Sequence, residues 1–275
     1  ACQLPQTAAG VTSAKAAWAV RTSETAVEQA SIRVMVHAFP VEFGAASFLS
    51  PSNASRNSRG RWSEEGQSCE MIITDDQGRC TVLRISRKEK ANALTGDMLR
   101  DMRQAVARSG TPVLILTGDG TVFSAGADLD EMKTGLGTNP EWEALSSALA
   151  SYPGLTIAAL NGTLAGGAMG IALACDLRIA VPEARFFYPV MRLGYLPQPS
   201  DPGRLAALVG PSRARMILLA GQRIGADEAL TWGLIDRIVA PGTLMDSAKA
   251  LAVDALAADQ EHLQALKRMT KGETP

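Results

Sequence analysis

The run PVLILT at residues 112–117 constrains this chain more than any other feature. An uninterrupted apolar stretch of that length fits a β-strand covered on both faces, and such strands belong to parallel sheets flanked by helices. The segments LTIAAL (155–160) and LRIAV (177–181) are two more runs of this kind, and CTVLRIS (80–86) alternates as a half-buried strand. Helical spacing fills the intervals. Residues 95–108 put Met98, Leu99, Met102, Ala105 and Val106 on one face, with Gly110 just beyond. Further helices are predicted over 141–150, 212–220, 226–232, 245–258 and 260–269. Strands alternating with helices predict an α/β fold. No self-similarity marks an internal repeat.

This regularity begins at Met71. Residues 1–70 hold no sustained period and include the polar run SPSNASRNSRGR at 50–61, which buries too little apolar surface to offset chain entropy. SIRVMVHAF (31–39) is a local exception that fits a short strand. The sequence starts at Ala1 without a methionine, and Glu24, Glu28, Glu42, Glu64 and Glu65 argue against a transit peptide. The expected organisation is an N-terminal extension over 1–70, poorly ordered or non-native upstream sequence, followed by one domain over 71–275.

Composition removes several classes of function. Lys plus Arg number 27 against 28 Asp plus Glu, so no basic field invites nucleic acid or an anionic membrane. At 5% aromatic residues the chain is poor in base-stacking or sugar-binding surface. No stretch of about 18 apolar residues spans a bilayer. Cys2, Cys69, Cys80 and Cys175 are scattered, and the only histidines are His37 and His262, so neither a zinc site nor a His-based triad is expected. Reduced thiols fit a cytoplasmic protein.

Two segments interrupt the α/β pattern in the same way. TGDGTVFSAGADLD (117–130) and NGTLAGGAMGIALACD (161–176) each run from a buried strand through a Gly-rich turn into a helix of small side chains. Glycine and alanine there let a ligand approach the backbone, and a helix start offers free N–H groups at its positive end. Two such starts facing one another can aim two N–H groups at a single carbonyl oxygen. Either segment alone reads more simply as tight helix–strand packing; the pair shifts the balance. Gly118-Asp119-Gly120 lacks the third glycine of a dinucleotide loop, no phosphate-loop lysine motif exists, and Val122 rather than glycine precedes Ser124 by two, so no nucleophile elbow forms.

FSAGADLDEM (123–132) resembles the signature of the crotonase superfamily, the enoyl-CoA hydratases and isomerases. Arg87 with Asn92-Ala93-Leu94, Asn161-Gly162 through Gly166-Gly167, Ala184-Arg185-Phe186, Leu193-Gly194, Pro197, Gly221 and GLIDRIV (233–239) follow in the family's order. The resemblance runs collinearly from Met71 to the end of the sequence. It implies a spiral of ββα turns with a helical C-terminal part, packed as a homotrimer or hexamer, and a CoA thioester as substrate with no further cofactor and no metal. It also implies that the backbone N–H groups of Ala127 and Gly167 form the oxyanion hole. Ala125, Gly126, Asp128 and Leu129 would line the adenine and pantetheine path of CoA with Glu89 to Ala91 on the facing loop, and Gly166 and Val190 would also bind substrate. Lys267 and Lys271 are candidates for the CoA phosphates.

The sequence departs from the family where hydratases keep two glutamates. Those positions hold Gly170 and Val190, the latter after Pro189, and neither moves a proton. Isomerases commonly keep an acid at the second position, so their usual arrangement is missing too. Asp201, in PQPSDP (197–202), is the leading substitute; its simpler reading is a helix N-cap with Pro202 at N1. Tyr188 and Tyr195 flank Val190 as candidate donors, more simply packing residues, and Arg192 is a candidate for a substrate carboxylate. The expected activity is that of an enoyl-CoA hydratase/isomerase family lyase or isomerase whose reaction differs from hydration. The alternative is an acyl-CoA-binding pseudoenzyme or a partner-binding protein.

Overall fold

The computed structural model describes residues 71–274. The expectations for 1–70, including the strand at 31–39, His37, Cys2 and Cys69, lie outside the described residues.

The described chain opens with β1 (Ile72–Asp76) and β2 (Cys80–Ile85), an antiparallel pair. Thr95 then caps α1 (Gly96–Arg108) by accepting the Met98 N–H, so the helix starts one residue inside the predicted span. Next come β3 (Val113–Gly118), β4 (Val122–Ser124), the one-turn α2 (Leu129–Met132) and α3 (Glu141–Ala150). After them run β5 (Leu155–Leu160), β6 (Thr163–Ala165) and α4 (Ala168–Ala174), then β7 (Leu177–Ala180), β8 (Arg185–Phe187) and α5 (Val190–Leu193). The remainder is mostly helical: α6 (Asp201–Val209), α7 (Pro211–Leu218), β9 (Ile224–Gly225), α8 (Ala226–Trp232), β10 (Arg237–Ile238), α9 (Leu244–Leu251), α10 (Val253–Ala257) and α11 (Gln260–Thr270).

Six strands form one sheet in the order β1-β2-β3-β5-β7-β10, and four form a second in the order β4-β6-β8-β9. Three successive stretches repeat one path: a strand of the larger sheet, a short strand of the smaller sheet, then a helix. That is the spiral of ββα turns implied by the family resemblance. From β2 to β10 the larger sheet is parallel, and Val113 to Leu116 of β3 are at most 1% exposed, as a run buried on both faces requires.

Two helices depart by more than one residue from the sequence expectation. The span 245–258 divides at Ala252, which is fully buried and turns its N–H to the Lys249 carbonyl, tightening the turn and redirecting the chain. Pro211 opens α7 at its first position, where its missing N–H costs nothing, so this helix starts one residue earlier and ends two earlier than expected. The strand 177–181 also carries a charge in its middle. Arg178 is 4% exposed, and its guanidinium donates to the Cys175 carbonyl (2.6 Å) and the Leu234 carbonyl (2.9 Å). No described helix is long and apolar enough to cross a membrane.

Candidate active site

The two Gly-rich turns meet backbone to backbone. β4 and β6 are parallel neighbours, and the turns leaving them touch. Gly126 has φ 98°, and a β-carbon there would stand 2.9 Å from the Ala165 carbonyl oxygen and 3.2 Å from the Gly166 Cα. Only glycine satisfies both the left-handed backbone and that approach.

The first turn is held from behind by residues 87–94. Asn92 is fully buried with φ 54°; its side chain accepts the Arg87 N–H and donates to the Asp119 and Val122 carbonyls. The Ala91 carbonyl accepts the Ala125 N–H. Leu94 donates to the Gly126 carbonyl and accepts from the Asp128 N–H, a parallel bridge opposite Ala127. Bonding to both neighbours of Ala127 turns the N–H of Ala127 itself away from Leu94, and it meets no acceptor among the described residues. The Gly167 N–H, at the cap of α4, likewise meets none. Trp142 of α3 packs its ring over Gly167, 3.1 Å from where a β-carbon would sit.

Other residues expected on the CoA path are placed as follows. Ala125, Ala127, Gly166 and Gly167 are partly exposed, Gly126 is buried, and Leu129 is exposed. Glu89 is exposed in a 3-10 turn that ends at Ala91, itself at φ 50°. The Asp128 carboxylate is turned to the protein. It pairs with Arg87 at 2.7 Å and caps α2 through the Asp130 and Glu131 N–H groups. Burial alone would push this carboxyl up, but the Arg87 bond and the backbone donors outweigh it and hold it below the usual carboxylate range.

Asp201 is where the structure adds most. It is not the N-cap the sequence suggested: Ser200 precedes the helix and Asp201 is its first residue, accepting no backbone N–H. Its side chain instead points at α4. A β-carbon on Gly170 would lie 2.8 Å from the Asp201 Cγ and 2.7 Å from Oδ2. The α6 carboxylate thus fills the space beside α4 that a side chain at position 170 would need. Asp201 is 1% exposed; Oδ2 accepts the Tyr188 hydroxyl at 2.9 Å, and Oδ1 has no partner among the described residues. Burial, opposed by the Tyr188 bond and by the charge of Arg204, pushes this carboxyl up to about 6.

The surrounding groups are tied together. Arg204 donates to the Ser146 hydroxyl, which donates to the Gly170 carbonyl, and Glu143 accepts from the Ser200 N–H and hydroxyl. None of Trp142, Glu143 and Ser146 was singled out from the sequence. Trp142 and Ser146 share the buried face of α3 with Leu145 and Leu149, Glu143 is half-buried beside it, and nothing local marks them.

Val190 is half-buried at the first turn of α5 and packs against the core. Tyr195 is 41% exposed; its N–H donates to the Val190 carbonyl and its ring lies against Gly137. Arg192 and His262 are exposed. Lys267 donates to Asp176 (2.6 Å) and to the Gly154 carbonyl (2.7 Å), and Lys271 to the Ala150 carbonyl (2.7 Å), contacts that tie α11 to the rest of the domain. Cys175 is buried, which pushes its thiol up to about 12 and leaves it no thiolate to react.

Residues 75–274 match the family model described as enoyl-CoA hydratase/isomerase. The chain belongs to that family. Its relatives include the short-chain-enoyl-CoA hydratase of Clostridium acetobutylicum, 37% identical over 195 residues that cover 66% of this chain and 73% of the relative. A 4-chlorobenzoyl coenzyme A dehalogenase of an Arthrobacter species is 34% identical over 197 residues, 67% of this chain and 71% of that protein. Among solved structures, an enoyl-CoA hydratase from Bacillus anthracis superposes with a TM-score of 0.68 at 27% identity, covering 74% of this chain and 83% of that one. Membership of the enoyl-CoA hydratase/isomerase family, within the crotonase superfamily, accounts for the spiral fold.

Proposed function

We propose that this protein is an enzyme that forms an enolate from a CoA thioester, with the Ala127 and Gly167 N–H groups holding the thioester oxygen and Asp201 moving the proton. The observation that carries the reading is the Asp201 carboxylate seated against Gly170 with one oxygen unpartnered. The two N–H groups lack acceptors and flank the contact between the turns, which suits them to an oxygen whose charge grows in the transition state. A donor so placed is worth about 2.7–4 kcal/mol there. A carboxyl pushed up to about 6 is a competent base near neutral pH and still returns the proton readily.

One carboxylate suffices to take a proton from the carbon beside the thioester or to return one. The hydratases this chain resembles add water with two glutamates, and Gly170 and Val190 stand at those positions. The reading therefore favours enolate chemistry other than hydration. Family likeness supports a CoA thioester as substrate and, by the same resemblance, an assembly of three or six copies.

Exchange of the α-hydrogens of a panel of acyl-CoA thioesters in heavy water, followed by mass spectrometry, tests it. The wild type is expected to exchange, and Asp201→Asn to lose about 10²–10⁴-fold. Equal exchange by the two proteins would overturn the role of Asp201. The near-complete burial of Asp201 favours a second reading, acyl-CoA binding without turnover. Thioesters that bind and never exchange would establish it.

A further inference from the structure

Tyr188 lies between β8 and α5, directly before Pro189 and Val190. It is 4% exposed, and its hydroxyl reaches Asp201 Oδ2 across the α5–α6 connection. Phe186, two residues before it, fills the core without a hydroxyl, so packing alone does not call for a phenol here. We infer that Tyr188 is a positioning residue: its phenol fixes one oxygen of Asp201 so that the other, unpartnered beside Gly170, is ready to accept a proton from bound substrate. This rests on the reading of Asp201 as the proton carrier.

Three features support it. An aspartate carboxyl rotates in a broad, two-fold well, and one hydrogen bond selects a single orientation. Tyr188 is the direct partner of that carboxylate among the described residues. The other charged groups facing it are engaged elsewhere: Arg204, on the same helix, bonds to Ser146, and Glu143, on α3, receives Ser200. Finally, the phenol stays protonated. Burial, and next the negative charge of Asp201, push its ionisation far above the usual value, so it acts only as a donor. A donor favours the ionised form of its acceptor, so the bond also moderates the rise that burial imposes on Asp201.

The test uses the full chain. Exchange rates of wild type, Tyr188→Phe and Asp201→Asn are measured across pH, beside a carboxyl-carbon NMR titration of aspartate-labelled protein in which Asp201→Asn assigns the signal. In Tyr188→Phe the Asp201 midpoint and the acid limb of exchange should both rise by about one unit. Exchange well below the midpoint should then fall about tenfold, with kcat lowered more than KM is raised. The chain has 3 tyrosines, so fluorotyrosine can replace all of them; its stronger phenol donor should move the Asp201 midpoint down. That arm stands if the phenylalanine variant fails to fold. A midpoint unmoved in both substituted proteins, while Asp201→Asn is inactive, overturns the role of Tyr188 alone. Full exchange by Asp201→Asn overturns the proton-carrier reading beneath it.

Discussion

Asp201 and Gly170 exclude one another's alternatives by size. Any side chain at position 170 occupies the volume of the Asp201 carboxyl, so the acid on α6 can sit there only because α4 has no β-carbon at that point. Gly170→Ala should therefore drive the carboxylate off its seat and break its bond to Tyr188. Exchange is expected to fall to the level of Asp201→Asn, and stability by about 1–3 kcal/mol of overpacking, offset in part by alanine's better helix propensity. The double variant Gly170→Ala with Asp201→Ala should recover the melting temperature without recovering exchange. Gly170→Ala with undiminished exchange would show that the two positions are uncoupled. The sequence displayed Gly170 as a loss and Asp201 as a candidate with a simpler reading, an N-cap. It did not display them as a pair, because the contact is made between helices that β7, β8 and α5 separate along the chain.

Helix starts and short strands decide the geometry at the next scale. Gly167 has φ −59° and ψ −23°, values a proline adopts, so Gly167→Pro removes the N–H while keeping the local turn. Its β-carbon meets the Trp142 ring, but so does that of Gly167→Ala, which keeps the N–H. Relative to the alanine variant, the proline variant should lose about 10²–10³-fold in kcat. Equal losses in both would assign the effect to the crowded tryptophan and remove Gly167 from the oxyanion hole. The long elements were legible in the sequence: β3 as an apolar run, α1 by its spacing, α3 and α8 at their observed limits. Strands β4, β6 and β8 were not, since three residues are too few to show a period. Yet these strands form most of the smaller sheet and bring the two turns into contact. The turns themselves were recognisable by their glycines, whose backbone demands are local.

For the whole molecule, the buried acid makes stability depend on pH in a way that most carboxylates do not. In the unfolded chain Asp201 ionises near its usual 3.8, whereas in the folded chain it holds its proton up to about 6. Between those values the folded state carries a proton that the unfolded state lacks, so stability falls as pH rises through that window and is level above it. The full difference is at most about 3 kcal/mol. Asp128 works in the opposite sense. Held below the usual range by Arg87, it contributes stability at neutral pH that is lost as acid protonates it, below the window in which Asp201 titrates. Subtracting the melting curve of Asp201→Asn at each pH cancels Asp128 and every other shared group. The wild type should lose roughly 5–9 °C relative to the variant between about pH 4 and 6.5, for a domain of this size. Parallel curves over that interval would mean that Asp201 is ionised throughout. The carboxylate would then be too weak a base for the proton transfer assigned to it, and acyl-CoA binding without turnover would become the better account of this member of the family.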